Sequence, residues 1–448
     1  MIGTSLCRWA ISYFAVAIVW LLLAEALMVV GFGFPNHDIG APETLVIVHM
    51  VSIGWLSTVL CGALFQFVPV LVARPLYAER WTLPALALLT LGLMVLLAGF
   101  LALGGHINGP PWLLPIGAGL LIAGLALVVA NLGMTLWSAR PLPRPARFVA
   151  GGLACICVTA AFGGLFSLVL SGTAIGPQWP ELLVSGVPIH ALAGLGGWLT
   201  FTAMGVSYRL LAMFMLAPDG DARLGRLAWS AGIIALAVGL VGGVLALWRM
   251  TGLKLAFLLA GAAALLSLAA YGRDVLSLYR SRKRRALELN TRMSLVALAS
   301  LVAVAILGAA CLATGTFSSH VGALAFLLVF GWLTGLVLAN LYKIVPFLTW
   351  LETYGPVMGR VPTPRVQDLV AERRASKWFV LFFAGSWTAT LMLIIDAPLG
   401  FRIAVAAVMV ATLGLSEELI RARRLADVAA SQRLPTGAAA PHLLVSRN

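Results

Sequence analysis

The sequence predicts an all-α integral membrane protein whose twelve transmembrane helices form three pseudo-symmetric repeats of four helices. Three observations lead to this fold class. Hydrophobic residues make up 61% of the 448-residue chain and charged residues 10%, with a mean hydropathy of +1.01, whereas soluble proteins have about 45–50% apolar and about 25% charged residues. Polar breaks divide the chain into twelve long apolar runs, and a Gly-Trp-Leu-Ser/Thr motif occurs in three of these runs.

Each apolar run is long enough to cross a bilayer, for which a helix needs about 20 residues. The first run carries one charged residue, Glu25, and lacks the cleavage site of a signal peptide, so we interpret it as a membrane anchor. In chain order, the predicted spans cover residues 9–32, 43–71, 82–104, 112–138, 148–171, 186–216, 227–248, 254–276, 293–315, 319–349, 376–396 and 399–420.

The loops that connect these spans differ in charge. Most of the 30 Lys and Arg residues lie at the two chain ends and in the loops after even-numbered spans. The positive-inside rule therefore predicts a bacterial-type inner membrane protein with both termini in the cytoplasm, where residues 421–448 form a tail and the loop 351–376 is a solvated connection. Because the basic charge reports orientation, the predicted partner is the lipid bilayer and not nucleic acid.

The three motif-bearing spans indicate an internal repeat. Their tryptophans, Trp55, Trp198 and Trp332, are 143 and 134 residues apart, which corresponds to four spans per repeat. The predicted repeats cover approximately residues 1–138, 139–276 and 277–420 of a single transmembrane domain 1–448, a spacing that argues against carriers built from two halves of six helices. Counting from each Trp, the aligned residues are Gly62, Gly205 and Ala339 at +7; Phe65, Tyr208 and Tyr342 at +10; Gln66, Arg209 and Lys343 at +11; and Pro69, Ala212 and Pro346 at +14.

Three of the six histidines, His49, His190 and His320, lie at the outer ends of spans 2, 6 and 10, one in each predicted repeat. An ionisable side chain inside a membrane is expensive, so it is a functional candidate by default. Neutral imidazole is a common ligand of heme iron and of other metals. The alternative is that each histidine is an interfacial residue bonded to the backbone or to water. Their equivalent placement favours the functional interpretation, although helical spacing turns His49 about a third of a turn away from the other two, at ~100° per residue.

The histidine pattern, the twelve spans and the ending Leu-Tyr-Lys-Ile-Val-Pro-Phe of span 10 resemble the catalytic subunit family of the heme-copper oxidases and nitric oxide reductases. This resemblance implies that His49 and His320 are axial ligands of a low-spin b-type heme and that His190 binds copper or a non-heme metal. The chain departs from the family pattern in three places. Span 7 has no histidine, span 10 has one histidine where the family has two, and the Glu and Tyr expected after His190 are absent. The expectation is therefore a divergent member without a complete dioxygen-reducing centre.

The resemblance implies an electron-transfer role, or a role related to nitric oxide or oxygen, with heme b and copper or iron as cofactors. A cytochrome or another respiratory subunit would be the protein partner. The NnrS family is a second relative to consider, although its His-x-His-Glu-Met signature is absent. An alternative function is a non-enzymatic transporter or a metal- or heme-handling factor on the same scaffold, and a third is a subunit without a cofactor. Whether the chain is an enzyme stays open, and no catalytic residue is identified.

Five further residues are candidates. Glu25 is interpreted either as a proton relay or partner of a ligating histidine, or as a protonated interfacial residue, because an unpaired carboxylate in hydrocarbon is costly. Arg209 and Lys343 suggest an anion or heme-propionate contact, but snorkelling to the headgroups is favoured. Tyr208 and Tyr342 fit an aromatic belt at the membrane interface.

Overall fold

The computed structural model describes residues 7–174, 176, 178–218, 220–249 and 253–446, and no β-strand occurs among them. The predicted class, an all-α protein with twelve apolar spans, is confirmed, and the chain is a multi-pass membrane protein. The threefold repeat stays a prediction. The membrane-length helices are α1 Ala10–Val29, α2 Pro42–Val72, α3 Glu79–Leu103, α4 Leu113–Trp137, α5 Arg144–Leu170, α6 Glu181–Met215, α7 Ala222–Trp248, α8 Lys254–Arg280, α9 Leu289–Thr314, α10 Phe317–Val357, α11 Glu372–Ile394 and α12 Pro398–Arg423.

Several helices are longer than their predicted spans. The largest difference is in α10, which has 41 residues and was predicted over 319–349. At ~1.5 Å per residue, α10 is roughly 60 Å long and exceeds the ~30 Å hydrocarbon core. Hydropathy locates the part of a helix that meets lipid, whereas backbone hydrogen bonding continues into the polar flanks.

The described chain separates into two compact units. Unit 1 comprises Met1–Gln66 and Glu288–Asn448, and unit 2 comprises Phe67–Leu287. In unit 1, α1 packs against α2 and α12, α9 packs against α10, and α11 packs against α12. In unit 2, α3 packs against α4, α7 packs against α8, and α5 packs against α4 and α6. The unit boundary falls within α2, so the helices of the first predicted repeat are shared between the two units.

Similar contacts recur at the predicted repeat positions. In unit 1, Gly62 lies against Tyr13 of α1, and the ring centroids of Tyr13 and Phe65 are 5.6 Å apart. In unit 2, Gly205 lies against Phe148 of α5, and the ring centroids of Phe148 and Tyr208 are 5.9 Å apart. In each case the small residue at +7 allows a close approach of two helices, and the +10 aromatic side chain packs beside it.

A polar contact also occurs twice at the same spacing within unit 2. The Asn131 side chain on α4 accepts a hydrogen bond from the amide of Ala78 at 2.9 Å and donates one to its carbonyl. The Asp274 carboxylate on α8 accepts a hydrogen bond from the amide of Asp221 at 2.8 Å. Both polar residues lie 76 positions after a motif tryptophan, and both contacted amides lie 23 positions after it. This coincidence favours a repeat relation between the first two predicted repeats.

Each motif lies in a π-helical segment of its helix. The segments are Met50–Ser57 in α2, Leu192–Phe201 in α6 and Leu327–Thr334 in α10. The motif tryptophans are at most 1% exposed, so they pack in the protein core. Because π-helical turns are rare and frequently occur at functional sites, these three segments indicate where a functional site would lie.

The segments before α11 and after α12 are folded against unit 1. The Tyr354 hydroxyl donates a hydrogen bond to the carbonyl of Arg433 at 2.7 Å, and the amide of Ser446 donates one to the carbonyl of Arg8 at 2.9 Å. The expectation of a fully solvated loop over 351–376 is therefore wrong at several positions, because apolar side chains of this loop and of the tail are buried against one another. This buried cluster contains Tyr354, Leu369, Leu425 and Val428.

Candidate functional site

His49 belongs to unit 1 and is the last α-helical residue before the π-helical segment of α2. Its side chain is half-buried, and its Nδ1 lies 2.7 Å from the carbonyl oxygen of Leu45, one turn earlier in the helix. When imidazole is neutral and Nδ1 donates to a carbonyl, Nε2 carries the lone pair. The ring is therefore held in the tautomer whose Nε2 carries the lone pair for metal binding.

His320 is also in unit 1, close to the start of α10. Its Nδ1 lies 2.9 Å from the carbonyl oxygen of Thr316 and 3.2 Å from the Ser319 hydroxyl. The histidine is half-buried, whereas Phe317 and Ser319 beside it are exposed. Its local hydrogen bond matches that of His49, but its surroundings are more open.

His190 lies in unit 2, two residues before the π-helical segment of α6. Its Nδ1 is 3.0 Å from the carbonyl oxygen of Thr159 on α5, and its ring centroid is 5.5 Å from that of Phe166. Here the oriented ring is fixed by a neighbouring helix and not by its own turn. All three predicted ligands thus hold Nδ1 against a backbone carbonyl, the arrangement that commonly orients histidine ligands.

The helices that carry His49 and His320 meet at a buried hydrogen bond. The indole nitrogen of Trp55 donates to the hydroxyl of Thr334 at 3.0 Å, and both residues are fully buried. His49 precedes Trp55 by six residues, whereas His320 precedes Thr334 by fourteen. Since α2 and α10 are both even-numbered spans and run in the same direction, His49 lies about 9 Å and His320 about 21 Å along the helices from this bond. The structure thus brings the two histidines into one unit but places them at different levels.

Glu25 is fully buried in unit 1. One carboxyl oxygen accepts a hydrogen bond from the hydroxyl of Thr412 on α12 at 2.8 Å, and the other has no hydrogen-bond partner among the described residues. A buried carboxyl group with a single neutral donor is poorly suited to hold a negative charge. The sequence drew attention to Glu25 but gave no signal for Thr412, which lies 387 positions away.

Glu25 and His49 lie at similar heights along the axes of α1 and α2, as measured from the contact of Tyr13 with Gly62. Glu25 is twelve residues beyond Tyr13 on α1, and His49 is thirteen residues before Gly62 on the antiparallel helix α2. These spacings correspond to about 18 Å and about 20 Å on the same side of the contact. Glu25 therefore lies at the level of His49, which keeps it as a candidate companion of a site there.

Tyr208 and Arg209 lie side by side on α6 in unit 2 but face different surroundings. Tyr208 is 6% exposed and stacks edge-on against Tyr271, with the ring centroids 5.2 Å apart. Arg209 is exposed, which agrees with the snorkelling interpretation. The expected interfacial belt is wrong for Tyr208, because its ring packs inside the unit.

Tyr342 and Lys343 occupy the corresponding positions on α10 in unit 1. Tyr342 is 4% exposed, and its ring centroid is 5.8 Å from that of Phe379, so it too is a core residue. The Lys343 ammonium lies 2.6 Å from the carboxylate of Glu288. Lys343 is less than a fifth exposed in this ion pair, so the expectation that it snorkels to the headgroups is wrong.

Sequence reasoning did not identify the buried ion pair between Arg423 and Glu352. The guanidinium nitrogen lies 2.9 Å from the Glu352 carboxylate, and a second hydrogen bond of 3.1 Å joins it to the hydroxyl of Thr349. The sequence had placed Arg423 in the predicted tail over residues 421–448. No local pattern links it to residues that lie 71 and 74 positions earlier on another helix.

Within the described ranges, no cluster of three or more His, Cys, Asp or Glu side chains is close enough to hold a metal ion. A comparison with protein-family models finds no match to this chain. A comparison with curated proteins likewise finds no match.

Proposed function

We propose that this membrane protein binds one b-type heme through His49, that His190 holds a separate copper or iron ion, and that the protein serves electron transfer or the binding of a diatomic gas such as nitric oxide or oxygen. The observation that carries the proposal is the orientation of the His49 ring, whose Nδ1 is fixed by the Leu45 carbonyl beside a π-helical segment. This arrangement leaves Nε2 as the basic nitrogen. The resemblance to the heme-copper oxidase family supports heme binding at His49, although that resemblance also implies His320 as a ligand of the same heme.

The difference in level between the two unit 1 histidines favours a single axial ligand. Both histidines could hold the same metal ion only if their Nε2 atoms lay close together. An offset of about 12 Å along the helices does not suit that geometry. His49 would therefore hold the heme, and His320 would have a separate role. A bound heme would supply one-electron chemistry and, with one protein ligand, an open position for a gas.

The residues around His49 contribute positioning and proton chemistry in this proposal. The Leu45 carbonyl holds the ring, and the Trp55–Thr334 hydrogen bond fixes α2 against α10. Glu25 offers a carboxyl group at the same level. His190, oriented by Thr159 in unit 2, is the candidate for a separate copper or iron ion.

Absorption spectroscopy of the purified full chain, expressed with ample heme, tests this function. We expect a Soret band that His49→Ala abolishes and that His320→Ala retains, together with a band shift when carbon monoxide is added to the reduced protein. His106→Ala is the matched control, because His106 is an exposed loop histidine and its removal should leave the band unchanged. Absence of a Soret band from the wild type, or a band that survives His49→Ala, would refute the heme proposal.

Measuring the copper and iron content of the purified protein separates the heme proposal from the alternative functions. Stoichiometric copper or iron without a Soret band, lost in His190→Ala, would instead support a metal-handling factor on this scaffold. Co-purification of a cytochrome with a wild-type chain that holds neither heme nor metal would support the subunit without a cofactor.

A further inference from the structure

A basic cavity lies in unit 1 between the end of α12 and the folded tail. Its volume is about 190 Å³, and its walls include Arg423, Arg424 and Arg433. On the same measure a single water molecule needs ~10–15 Å³, so the cavity has room for a larger ligand. Its walls contain none of the candidate ligands His49, His190 and His320, so it is independent of the proposed heme function.

Arg423 forms a rigid part of the cavity wall. Its side chain is 3% exposed and is held by Glu352, by Thr349 and by the carbonyl oxygens of His442 and Val445. The Nε donor has no hydrogen-bond partner within the described part of the chain. A nearly buried guanidinium with an unused donor indicates a site that is built to meet an acceptor.

Arg424 and Arg433 provide charge that is not neutralised. Arg424 is exposed and forms no ion pair with a described residue, and Arg433 donates only to the carbonyls of Ala426 and Val428. The nearby carboxylate of Asp427 is already engaged by other arginines. Since Glu352 balances Arg423, the cavity retains two uncompensated positive charges. Arginine favours phosphate in such settings because its planar guanidinium binds two oxygens at once.

The rim of the cavity is apolar. Leu434 is 49% exposed and Leu443 is 42% exposed, although both lie outside the membrane-spanning helices. A free phosphate ion would gain nothing from these side chains, whereas an acyl chain would cover them. Basic residues next to the end of a membrane helix also attract anionic lipids.

We infer that this cavity binds a phosphate-bearing anion and that its ligand is the headgroup of an anionic phospholipid. Arg424 and Arg433 contact the phosphate in front of Arg423, and the exposed leucines meet the start of the acyl chains. The lipid thereby joins the tail to the end of α12.

The test uses the full chain, delipidated in detergent and titrated with phosphatidylglycerol, phosphatidylcholine or inorganic phosphate. The readouts are the thermal unfolding midpoint and lipid retention in native mass spectrometry. We expect phosphatidylglycerol to raise the midpoint and to be retained, and the double variant Arg424→Gln/Arg433→Gln to bind it roughly 30-fold more weakly. Arg360→Gln, at an exposed arginine in another loop of unit 1, is the matched control and should bind as the wild type does.

Each outcome of this titration either supports or overturns lipid binding in the cavity. Loss of binding in the double variant but not in Arg360→Gln supports the site, and an equal response to inorganic phosphate would identify free phosphate as the source. Equal binding by the wild type and the double variant, or retention of phosphatidylcholine as strong as that of phosphatidylglycerol, would overturn the inference. The single variant Arg424→Gln guards against misfolding, because this exposed side chain supports no described contact and its removal should weaken binding about fivefold.

Discussion

At the scale of single residues, the candidate site depends on oriented rings and on one buried carboxyl group. His49, His190 and His320 each hold Nδ1 against a backbone carbonyl, which no sequence pattern specifies in advance. Glu25 relies on one hydroxyl group of a distant helix. Substitution of the residues that bond to these groups should therefore lower the free energy of unfolding measurably.

Replacing Thr412 with Val tests the support of Glu25. The variant removes the described donor to this fully buried carboxyl group, and leaving a buried polar group unpaired costs about 1–3 kcal/mol. We expect a lower free energy of unfolding in detergent. Ser416→Ala is the matched control, because this hydroxyl bonds only to the backbone of its own helix, and a change within about 0.5 kcal/mol is expected. An equal loss in both variants would show that Thr412 does not support Glu25 specifically.

At the scale of helices, the π-helical segments of α2, α6 and α10 are the distinctive elements. Each contains the Gly-Trp-Leu-Ser/Thr motif and follows a candidate histidine within the same helix. The motif positions nevertheless differ in their contacts. Thr334 accepts the buried hydrogen bond from Trp55, whereas the hydroxyl of Thr200, at the same motif position, has no described partner.

This difference predicts opposite outcomes for two identical substitutions. Thr334→Val leaves the buried indole of Trp55 without its acceptor, so we expect it to destabilise the protein by about 1–3 kcal/mol. Thr200→Val replaces a hydroxyl without a described partner by a methyl group and should be neutral or stabilising. Thermal unfolding of both variants measures the contrast. If Thr200→Val is as destabilising as Thr334→Val, the hydrogen bond from Trp55 does not account for the effect of Thr334→Val.

At the scale of the whole molecule, the chain separates into two compact units, and the tail after α12 makes contacts within unit 1. Ion pairs anchor the end of α12 and the tail within unit 1. Arg374 binds both Glu418 and Asp427, and Arg421 also binds Asp427. Burial by itself would raise the pKa of Asp427, but the hydrogen bonds from Arg421 and Arg374 outweigh it and hold the pKa below its usual value.

This network makes stability depend on pH. Because the folded-state pKa of Asp427 lies below that of an unfolded aspartate, its stabilisation is complete above about pH 4 and is lost as the pH falls through the folded-state pKa. We expect Asp427→Asn to lower the free energy of unfolding by about 1–3 kcal/mol at neutral pH, with the difference from the wild type shrinking in acid. Unfolding measured at several pH values follows this change.

Asp368→Asn is the control for that experiment. Asp368 pairs with Arg365, which is 74% exposed, so solvent screens the pair and less than about 1 kcal/mol is expected. Should Asp427→Asn be no more destabilising than Asp368→Asn, the Arg374 network would not stabilise the tail.

The sequence by itself determined the twelve helices and the placement of a histidine in each motif-bearing span, because apolar run length and residue spacing are local properties of the chain. Only the tertiary structure decided which side chains meet. The pairing of Trp55 with Thr334, of Glu25 with Thr412, and of Arg423 with Glu352 joins residues from 71 to 387 positions apart. The level of His320 relative to His49 likewise depends on how α2 and α10 pack, since a helix can slide along its neighbour without any change in its own hydrophobic pattern.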